Sequence, residues 1–323
     1  MKPLIVFFCL TLATAGVLFG CGKVRQEKKI YQIGIVNFNH QVEGVIAGFK
    51  QGMEKKGYIE GVSVRYNYPG PLDTLEQGEQ LIGELVAGKV DLIYTITTPA
   101  TRLASKLTAG TEIPIVFGPM MSPLDSGLVT DLFSPDNTIT GVRVRGSVEK
   151  SLYYLKEIKP DLKNIYVPFH VGNSPARVCM HDLRKAARKF GVQILSENVH
   201  DKEEVVRALG RIPAEAEAIW LSHSHLLVSL VAEFVKAGNR LKIPIASPVN
   251  QLSDGVLVNY ASTSSTIGRQ VSRLADKLLR GAKPASLPIE TAEFFLGINL
   301  KVADFLGLEV PQYLVNQADS IIR

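Results

Sequence analysis

The segment Val90–Pro123, VDLIYTITTPATRLASKLTAGTEIPIVFGPMMSP, predicts a strand, a helix and a second strand in succession. Asp91–Tyr94 and Ile113–Phe117 are apolar and β-rich, and a helical segment lies between them from about Ala100 to Leu107. Parallel strands joined by right-handed crossovers present their carboxyl ends on one edge of the sheet, and ligands of open α/β sheets bind outside that edge. The segment therefore predicts a parallel sheet with a binding edge.

The residues expected at this edge are hydroxyls, backbone groups and one soft apolar side chain. They are Thr95, Thr97, Thr98 and Thr101 after the first strand, and Gly118, Pro119, Met120 and Ser122 after the second. They contain no acid, base or nucleophile pair. The edge is suited to holding a ligand rather than to reacting it, so no enzymatic activity and no cofactor are expected.

The rest of the chain alternates strands and helices in two runs. The first run has strands at Ile30–Phe38, Val62–Tyr68 and Asn137–Val142, and helices at Val42–Lys56 and Leu75–Ala87. The second has strands at Lys163–Phe169, Val192–Glu197, Ala218–Ser222, Ile243–Ala246, Gly255–Tyr260 and Ile289–Ile298, and helices at Val148–Ile158, Pro175–Phe190, Glu203–Gly210, Leu226–Ala237, Ser264–Arg280 and Lys301–Leu306. This pattern predicts two α/β lobes with parallel sheets that close on a small ligand.

The amino terminus has the layout of a secretory signal. Met1–Gly20 carries one charge, Lys2, followed by an apolar run, and Leu18-Phe19-Gly20-Cys21 resembles a bacterial lipobox. Lipidation of Cys21 is expected, with residues 21–29 as a polar linker; the alternative is an uncleaved anchor helix. Either arrangement places the folded part outside the cytoplasm and tethers it to a membrane.

Composition narrows the class of protein further. Of three cysteines, Cys9 and Cys21 precede the folded part and Cys179 remains, so no internal disulfide is expected. The formal net charge is +5 over 323 residues, with charges interspersed rather than in blocks. This pattern indicates a solvated surface and not a nucleic-acid interface.

The chain resembles the ABC transporter substrate-binding proteins of the tryptophan/tyrosine-binding type. The motifs that carry the resemblance are GIVNFN, GFKQGMEKKGYIEG, VDLIYTITTPAT, IPIVFGPMMSPLDSGLV, NTITGV, GNSPA, AIWLSHSHLLV and NLKVADFLGLEVP, in this order from about Ile30 to Pro311. The resemblance implies a type I periplasmic-binding-protein fold with three crossovers between lobes. It also implies a membrane permease with its ATPase as partners and often an aromatic amino acid as ligand. We expect the protein to be a monomer.

The lobes are then expected to be discontinuous, with residues 30–142 and about 262–290 in lobe I, and 143–261 and about 291–323 in lobe II. The resemblance assigns ligand positions to Thr98 and Thr101, the turn from Gly118 to Pro123, Asn173 and Ser174, and the turn from Ser222 to His225. The full set of expected ligand-binding residues is Phe38, Asn39, Thr97, Thr98, Thr101, Gly118, Pro119, Met120, Asn173, Ser174, His223, Ser224 and Ser247.

Two departures from the family pattern bear on the ligand. Ser122-Pro123 stands where the family usually has Asp-Pro, and Ser222-His223-Ser224 stands where it usually has Pro-Thr-Asp. An α-amino group enclosed in a closed cleft needs a carboxylate partner, because an unpaired buried charge costs several kcal/mol. Ser224 removes that partner, so an amino acid ligand is less expected here than the family pattern suggests.

Several alternatives remain at this stage. His223 and His225 could form a metal pair, although polar lining of the cleft is the preferred interpretation. Phe38, Phe117, Phe169 and Tyr260 end or follow strands and could stack on a flat ligand or pack in the core. The expected function is capture of a small molecule for an ABC permease; the alternative is a sensor lobe that signals to a membrane partner such as a kinase.

Overall fold

The computed structural model describes residues 29–40, 42–135 and 138–323. The predicted signal segment 1–20, the lipidation candidate Cys21, almost all of the linker 21–29 and Asn137 lie outside the described residues. Among the described helices, none has the length and apolar character needed to cross a membrane.

Lobe I is built on a sheet of six strands with the order β11-β5-β4-β3-β1-β2. Its strands are β1 (Tyr31–Asn37), β2 (Val64–Asn67), β3 (Leu92–Ile96), β4 (Ile115–Met120), β5 (Ile139–Arg143) and β11 (Glu290–Thr291). Its helices are α1 (Glu43–Glu54), α2 (Leu75–Ala87), α3 (Thr97–Leu107) and α9 (Ser264–Leu279).

Lobe II is built on a sheet of seven strands with the order β13-β12-β10-β9-β8-β6-β7. Its strands are β6 (Asn164–His170), β7 (Gln193–Val199), β8 (Ala218–Trp220), β9 (Ile245–Ser247), β10 (Val258–Ala261), β12 (Phe295–Asn299) and β13 (Ser320–Ile322). Its helices are α4 (Ser147–Ile158), α5 (Ser174–Phe190), α6 (Lys202–Gly210), α7 (His225–Val228), α8 (Val231–Leu241), α10 (Leu300–Leu306) and α11 (Gln312–Gln317).

Both sheets are parallel except for the antiparallel pair of β10 and β12. In the described residues the chain passes between the sheets three times, after β5, after β10 and after β11. The predicted α/β class with two parallel-sheet lobes is therefore confirmed.

Each sheet is covered on both faces by apolar helix faces. In lobe I, α1 and α9 contribute to one core layer, and α2 and α3 contribute to the other. In lobe II, α4 and α5 cover one face, and α6 and α8 cover the other. Cys179 is fully buried in α5.

The strand predicted over Ile289–Ile298 is wrong as a single element. Glu290–Thr291 pairs with β5 of lobe I, whereas Phe295–Asn299 pairs with β10 and β13 of lobe II. The apolar run is continuous in sequence, but its two halves find different partner strands. The break between them is the third connection between the lobes.

Four further element predictions need correction. The helix predicted over Leu226–Ala237 is two helices, α7 and α8, and the carboxyl-terminal segment adds α11 and β13 to the predicted strand and helix. Helix α3 begins at Thr97 rather than near Ala100, and β4 continues to Met120 rather than ending at Phe117. Both of these last changes move predicted turn residues into regular structure.

The contact between α1 and α9 is unusually close because glycines face each other across it. A Cβ atom on Gly268 would lie 2.1 Å from the Val45 carbonyl oxygen and 2.5 Å from the Phe49 nitrogen. A Cβ on Gly48 would lie 2.3 Å from the Ser265 carbonyl oxygen. These neighbours are backbone atoms, so the two helices can approach this closely only if both positions lack a side chain.

We expect Gly268→Ala to lower the free energy of unfolding by about 1–3 kcal/mol, because the added methyl group forces the helix pair apart. Urea denaturation measures this change. The control is Gly83→Ala in α2, where an added Cβ meets nothing within 4 Å. That change removes a helical glycine and should stabilise by up to about 1 kcal/mol; equal effects of the two substitutions would contradict the close contact.

Candidate functional site

The carboxyl ends of both sheets point to the junction of the lobes. The first connection leaves lobe I at the carboxyl end of β5, and the second leaves lobe II at the carboxyl end of β10. Residues that follow the other strands at these ends therefore border the space between the lobes. This is the place where open α/β sheets bind ligands.

On lobe I, the turn from β3 into α3 has no intervening loop. Thr97 begins the helix with a φ of 70°, a left-handed conformation that is rare for a β-branched residue. The Thr101 hydroxyl donates to the Thr97 carbonyl at 2.9 Å and contacts the Thr95 hydroxyl at 2.9 Å. This buried hydroxyl pair holds the strained turn and leaves Thr97 and Thr98 half-buried at the edge.

Thr101 itself therefore lies behind the edge rather than on it. Its side chain is fully buried and its hydroxyl is engaged with Thr95 and Thr97. The same holds for Met120, which is 2% exposed and packs in the core beside α2 and α3. The structure places both of these expected contact residues in supporting positions.

Gly118 and Pro119 also differ from their expected place in a turn. Both belong to β4, which continues past a register shift until Met120 pairs with Arg143. The Gly118 carbonyl accepts a hydrogen bond from the Tyr94 hydroxyl at 2.8 Å, and a Cβ on Gly118 would lie 2.5 Å from Val271 of α9. Gly118 is thus a packing position.

Phe38 and Asn39 follow β1 and have different roles. The Phe38 ring lies against α2 and α3, since a Cβ on Gly78 would come within 2.5 Å of its Cζ atom. Phe38 is half-buried and packs against the lobe I core. The Asn39 backbone N–H donates to Asn37 Oδ1 at 2.8 Å, which fixes the turn that carries Asn39 to the edge.

On lobe II, α5 begins directly beyond β6. Asn173 caps this helix, its Oδ1 accepting from the Ala176 N–H at 2.9 Å, and Ser174 is exposed at the first helical position. Ser247, at the end of β9, is fully buried, and its hydroxyl donates to the Leu221 carbonyl at 2.9 Å. Asn173 and Ser174 therefore lie at the edge, whereas Ser247 supports it from behind.

Two histidines lie at the edge of lobe II, His170 at the end of β6 and His223 in the turn after β8. His170 Nδ1 lies 2.7 Å from the Ser224 hydroxyl oxygen, and Ser224 also caps α7 by accepting from the Leu227 N–H at 3.5 Å. His223 is half-buried, and its Nδ1 is enclosed without a hydrogen-bond partner among the described residues. Burial lowers the pKa of His223 to about 4 and also lowers the pKa of His170, so both imidazoles are neutral near pH 7.

No group of three His, Cys, Asp or Glu side chains is placed to hold a metal ion within the part of the chain that the structure describes. The possible metal pair of His223 and His225 has no third ligand there. Phe117 is fully buried, which leaves it as a core residue. Tyr260 packs between Tyr154 and Phe294, with ring centroids 5.7 Å and 5.6 Å away, beside the connections between the lobes.

A salt bridge links the two lobes at the first connection, and the sequence analysis did not predict it. Arg145 lies just after β5 and donates through Nε and Nη2 to the Asp182 carboxylate of α5 at 3.0 and 2.9 Å. Its Nη1 lies 3.3 Å from Asp125 Oδ2 and 3.4 Å from the Ser122 hydroxyl, both in the loop after β4. The only sequence signal for this role is that Arg145 follows the last strand of the first run.

The two carboxylates of this salt bridge should contribute differently to the free energy of unfolding. The Asp182 side chain is 21% exposed and accepts two charge-assisted hydrogen bonds, whereas the Asp125 side chain is 64% exposed. We expect Asp182→Asn to lower the free energy of unfolding by about 1–3 kcal/mol and Asp125→Asn by less than about 1 kcal/mol. Chemical denaturation of both variants measures this, and equal losses would count against the bidentate pair.

The buried His223 ring should make stability depend on pH in a specific window. The folded-state pKa of His223, about 4, lies below the usual histidine value of 6.5, so the unfolded chain binds a proton first as pH falls. Stability is therefore unaffected above pH 6.5 and decreases between 6.5 and 4. Relative to His223→Asn, which cannot titrate, the natural protein should lose about 2 kcal/mol between pH 7.5 and pH 5. A difference in unfolding free energy that stays constant over this range would show that the ring is not enclosed.

The comparisons with known proteins agree with this geometry. The sequence model of the ABC transporter substrate binding protein family matches residues 33–322. A tyrosine-binding protein of Clostridioides difficile (strain R20291) is 25% identical over 274 residues, which are 84% of this chain and 79% of that protein.

Two solved structures share this fold over 91% of the chain. One is the ABC domain in complex with L-Trp from Streptococcus pneumonia, with a TM-score of 0.77, 22% identity and coverage of 91% of this chain and 100% of that chain. The other is a ligand-free, open substrate-binding protein with adhesive properties from Clostridium difficile, with a TM-score of 0.77, 22% identity and coverage of 91% and 99%. The two lobes have the type I periplasmic-binding-protein fold, and the chain belongs to the family of ABC transporter substrate-binding proteins.

Proposed function

We propose that this protein is the extracytoplasmic solute receptor of an ABC importer. It binds a small organic molecule between its lobes and presents the molecule to a membrane permease, whose ATPase drives uptake. Membership of the substrate-binding family supports this proposal directly. Neither catalysis nor a cofactor enters the mechanism.

The observation that carries the proposal is the convergence of polar, non-catalytic edge residues from two lobes at one junction. Lobe I contributes Thr97 and Thr98, and lobe II contributes Asn173, Ser174 and His223. These groups can donate or accept hydrogen bonds to a ligand that touches both lobes. A ligand with contacts on both sides favours the closed arrangement, and its release accompanies opening.

The division of the chain into lobes is part of the proposal. Residues 30–142 with about 262–290 form lobe I, and residues 143–261 with about 291–323 form lobe II. The sheet membership of the strands on either side of each connection supports these limits. Three connections allow the lobes to bend relative to each other without separating.

The cargo that we propose has the size and shape of an aromatic amino acid. A related protein binds tyrosine by name and a structural neighbour was solved with L-Trp. Whether the cargo carries a protonated amine depends on Ser222-His223-Ser224 of lobe II, which depart from the family pattern. Transport is favoured over sensing because the family is one of ABC transporter proteins.

We also propose that the mature protein is a monomer held at the membrane by a lipid on Cys21. The lipobox-like segment Leu18–Cys21 supports the anchor, and several acyl chains on one cysteine would make it stable. The mass of the amino-terminal peptide from membranes tests it, since an unmodified Cys21 would exclude lipidation.

A thermal-shift assay tests ligand binding. The panel contains L-tyrosine, L-tryptophan, their deaminated acids, sugars, nucleosides and divalent metals. A ligand at one hundred times its dissociation constant adds about 2.7 kcal/mol to the unfolding free energy, which raises the midpoint by a few degrees. We expect such a shift with an aromatic member of the panel.

Two substitutions in lobe II test whether the ligand binds at this edge. Ser174→Trp places a bulky side chain at the exposed start of α5 and should abolish the ligand-induced shift. Gln193→Trp, at the exposed amino end of β7 in the same lobe, should leave it intact. A shift that survives Ser174→Trp would place the ligand elsewhere, and no shift with any compound would contradict the solute-binding function.

A further inference from the structure

The carboxyl edge of lobe II is rich in histidine. In the sheet order β7-β6-β8, three neighbouring strands lead into His200, His170 and His223 respectively. His200 is exposed and is engaged with Glu204, its Nδ1 lying 2.8 Å from Oε2. His170 and His223 are half-buried and border the space between the lobes.

The hydrogen bond between Ser224 and His170 defines which imidazole nitrogen carries the proton. Ser224 is 4% exposed, and its hydroxyl oxygen accepts a hydrogen bond from the Leu227 N–H as a helix cap. Its own proton needs an acceptor, and His170 Nδ1 lies 2.7 Å away. Ser224 therefore donates to Nδ1, and the His170 proton resides on Nε2, where it is a hydrogen-bond donor.

The enclosure of His223 leads to the same tautomer. Its Nδ1 is covered by protein and has no hydrogen-bond partner in the part of the chain that the structure describes. A buried N–H without a partner costs more free energy than a buried lone pair without one. The proton is thus placed on Nε2, the ring nitrogen that is not enclosed. His170 and His223 then offer two uncharged N–H donors at the ends of neighbouring strands.

The carboxylates near this edge are already engaged. Asp182 pairs with Arg145, Glu204 pairs with His200, Asp201 caps α6, and Glu197 accepts from Tyr166 and pairs with Arg211. A protonated amine placed against lobe II would therefore meet neutral donors and no unengaged carboxylate among these four. Such an amine would lose its hydration without gaining a counter-charge.

We propose that lobe II recognises an acceptor group, such as a carboxylate, through the neutral N–H groups of His170 and His223, and that the cargo is an aromatic acid without a protonated amine. This inference rests on the proposed solute-binding function. Ser224 is its positioning residue, because its hydroxyl orients the His170 ring. Lowered pKa values of both histidines agree with their neutral state.

The test compares three ligands that differ in one group each: L-tyrosine, its deaminated acid 3-(4-hydroxyphenyl)propionate, and its decarboxylated amine tyramine. Isothermal titration calorimetry with the purified protein should give an affinity for the deaminated acid at least tenfold above that for L-tyrosine. Tyramine should not bind. Tighter binding of L-tyrosine than of the deaminated acid would overturn the inference.

A pair of substitutions at Ser224 tests the chemical reason. Asp and Asn are both good helix caps, so Ser224→Asp and Ser224→Asn each preserve the start of α7. Ser224→Asp adds a carboxylate and should raise the affinity for L-tyrosine at least tenfold relative to Ser224→Asn. Equal affinities of the two variants for L-tyrosine would overturn the inference even if the ligand order in the natural protein were as expected.

Failure of this inference can be told apart from failure of the proposed function. If no member of the tyrosine series binds but another compound of the thermal-shift panel does, the aromatic-acid inference is overturned and the solute-binding function stands. If neither assay detects any ligand, the function itself is contradicted.

Discussion

Lobe I depends on α9, a helix that follows the first segment of lobe II in sequence. Helix α9 packs against α1 so closely that Gly48 and Gly268 meet backbone atoms of the opposite helix. Together the two helices bury one face of the first sheet. Because this core layer cannot be completed by the first 143 residues alone, the chain must return from lobe II to lobe I. The two lobes are therefore not independent consecutive domains joined by a linker.

This return has a mechanical consequence. The connections after β5, β10 and β11 lie beside each other at the junction of the sheets, so relative motion of the lobes is bending about a short hinge. Arg145 is placed on the first connection and is held between Asp182 of lobe II and the loop of Ser122 and Asp125 in lobe I. Any change in the angle between the lobes must adjust these hydrogen bonds. The salt bridge of Arg145 thus couples bending at the hinge to the loop of Ser122 and Asp125 and to α5.

The binding edge was partly predictable from the order of residue types along the chain. Threonines after β3, and Asn173 and Ser174 after β6, follow strands in sequence, and parallel topology brings such residues to one edge. Which side chains face outward could not be predicted, because that depends on where each strand ends. Strand β4 continues to Met120, and α3 begins at Thr97, so Met120 and Thr101 became buried supports. Phe38 turned toward Gly78 because the missing side chain there leaves room for its ring.

By itself, the sequence determined the class of fold and the two runs of strands and helices, because these follow from local periodicity and residue type. Only the tertiary structure decided the path between the lobes. The run Ile289–Ile298 is continuous in its apolar character, yet it splits between two sheets, since strand partners are chosen by distant segments. The same is true of the bridge at Arg145 and of the His170–Ser224 pair, whose members are separated by 54 residues. Contacts of this kind depend on how whole sheets are placed, and no local pattern encodes them.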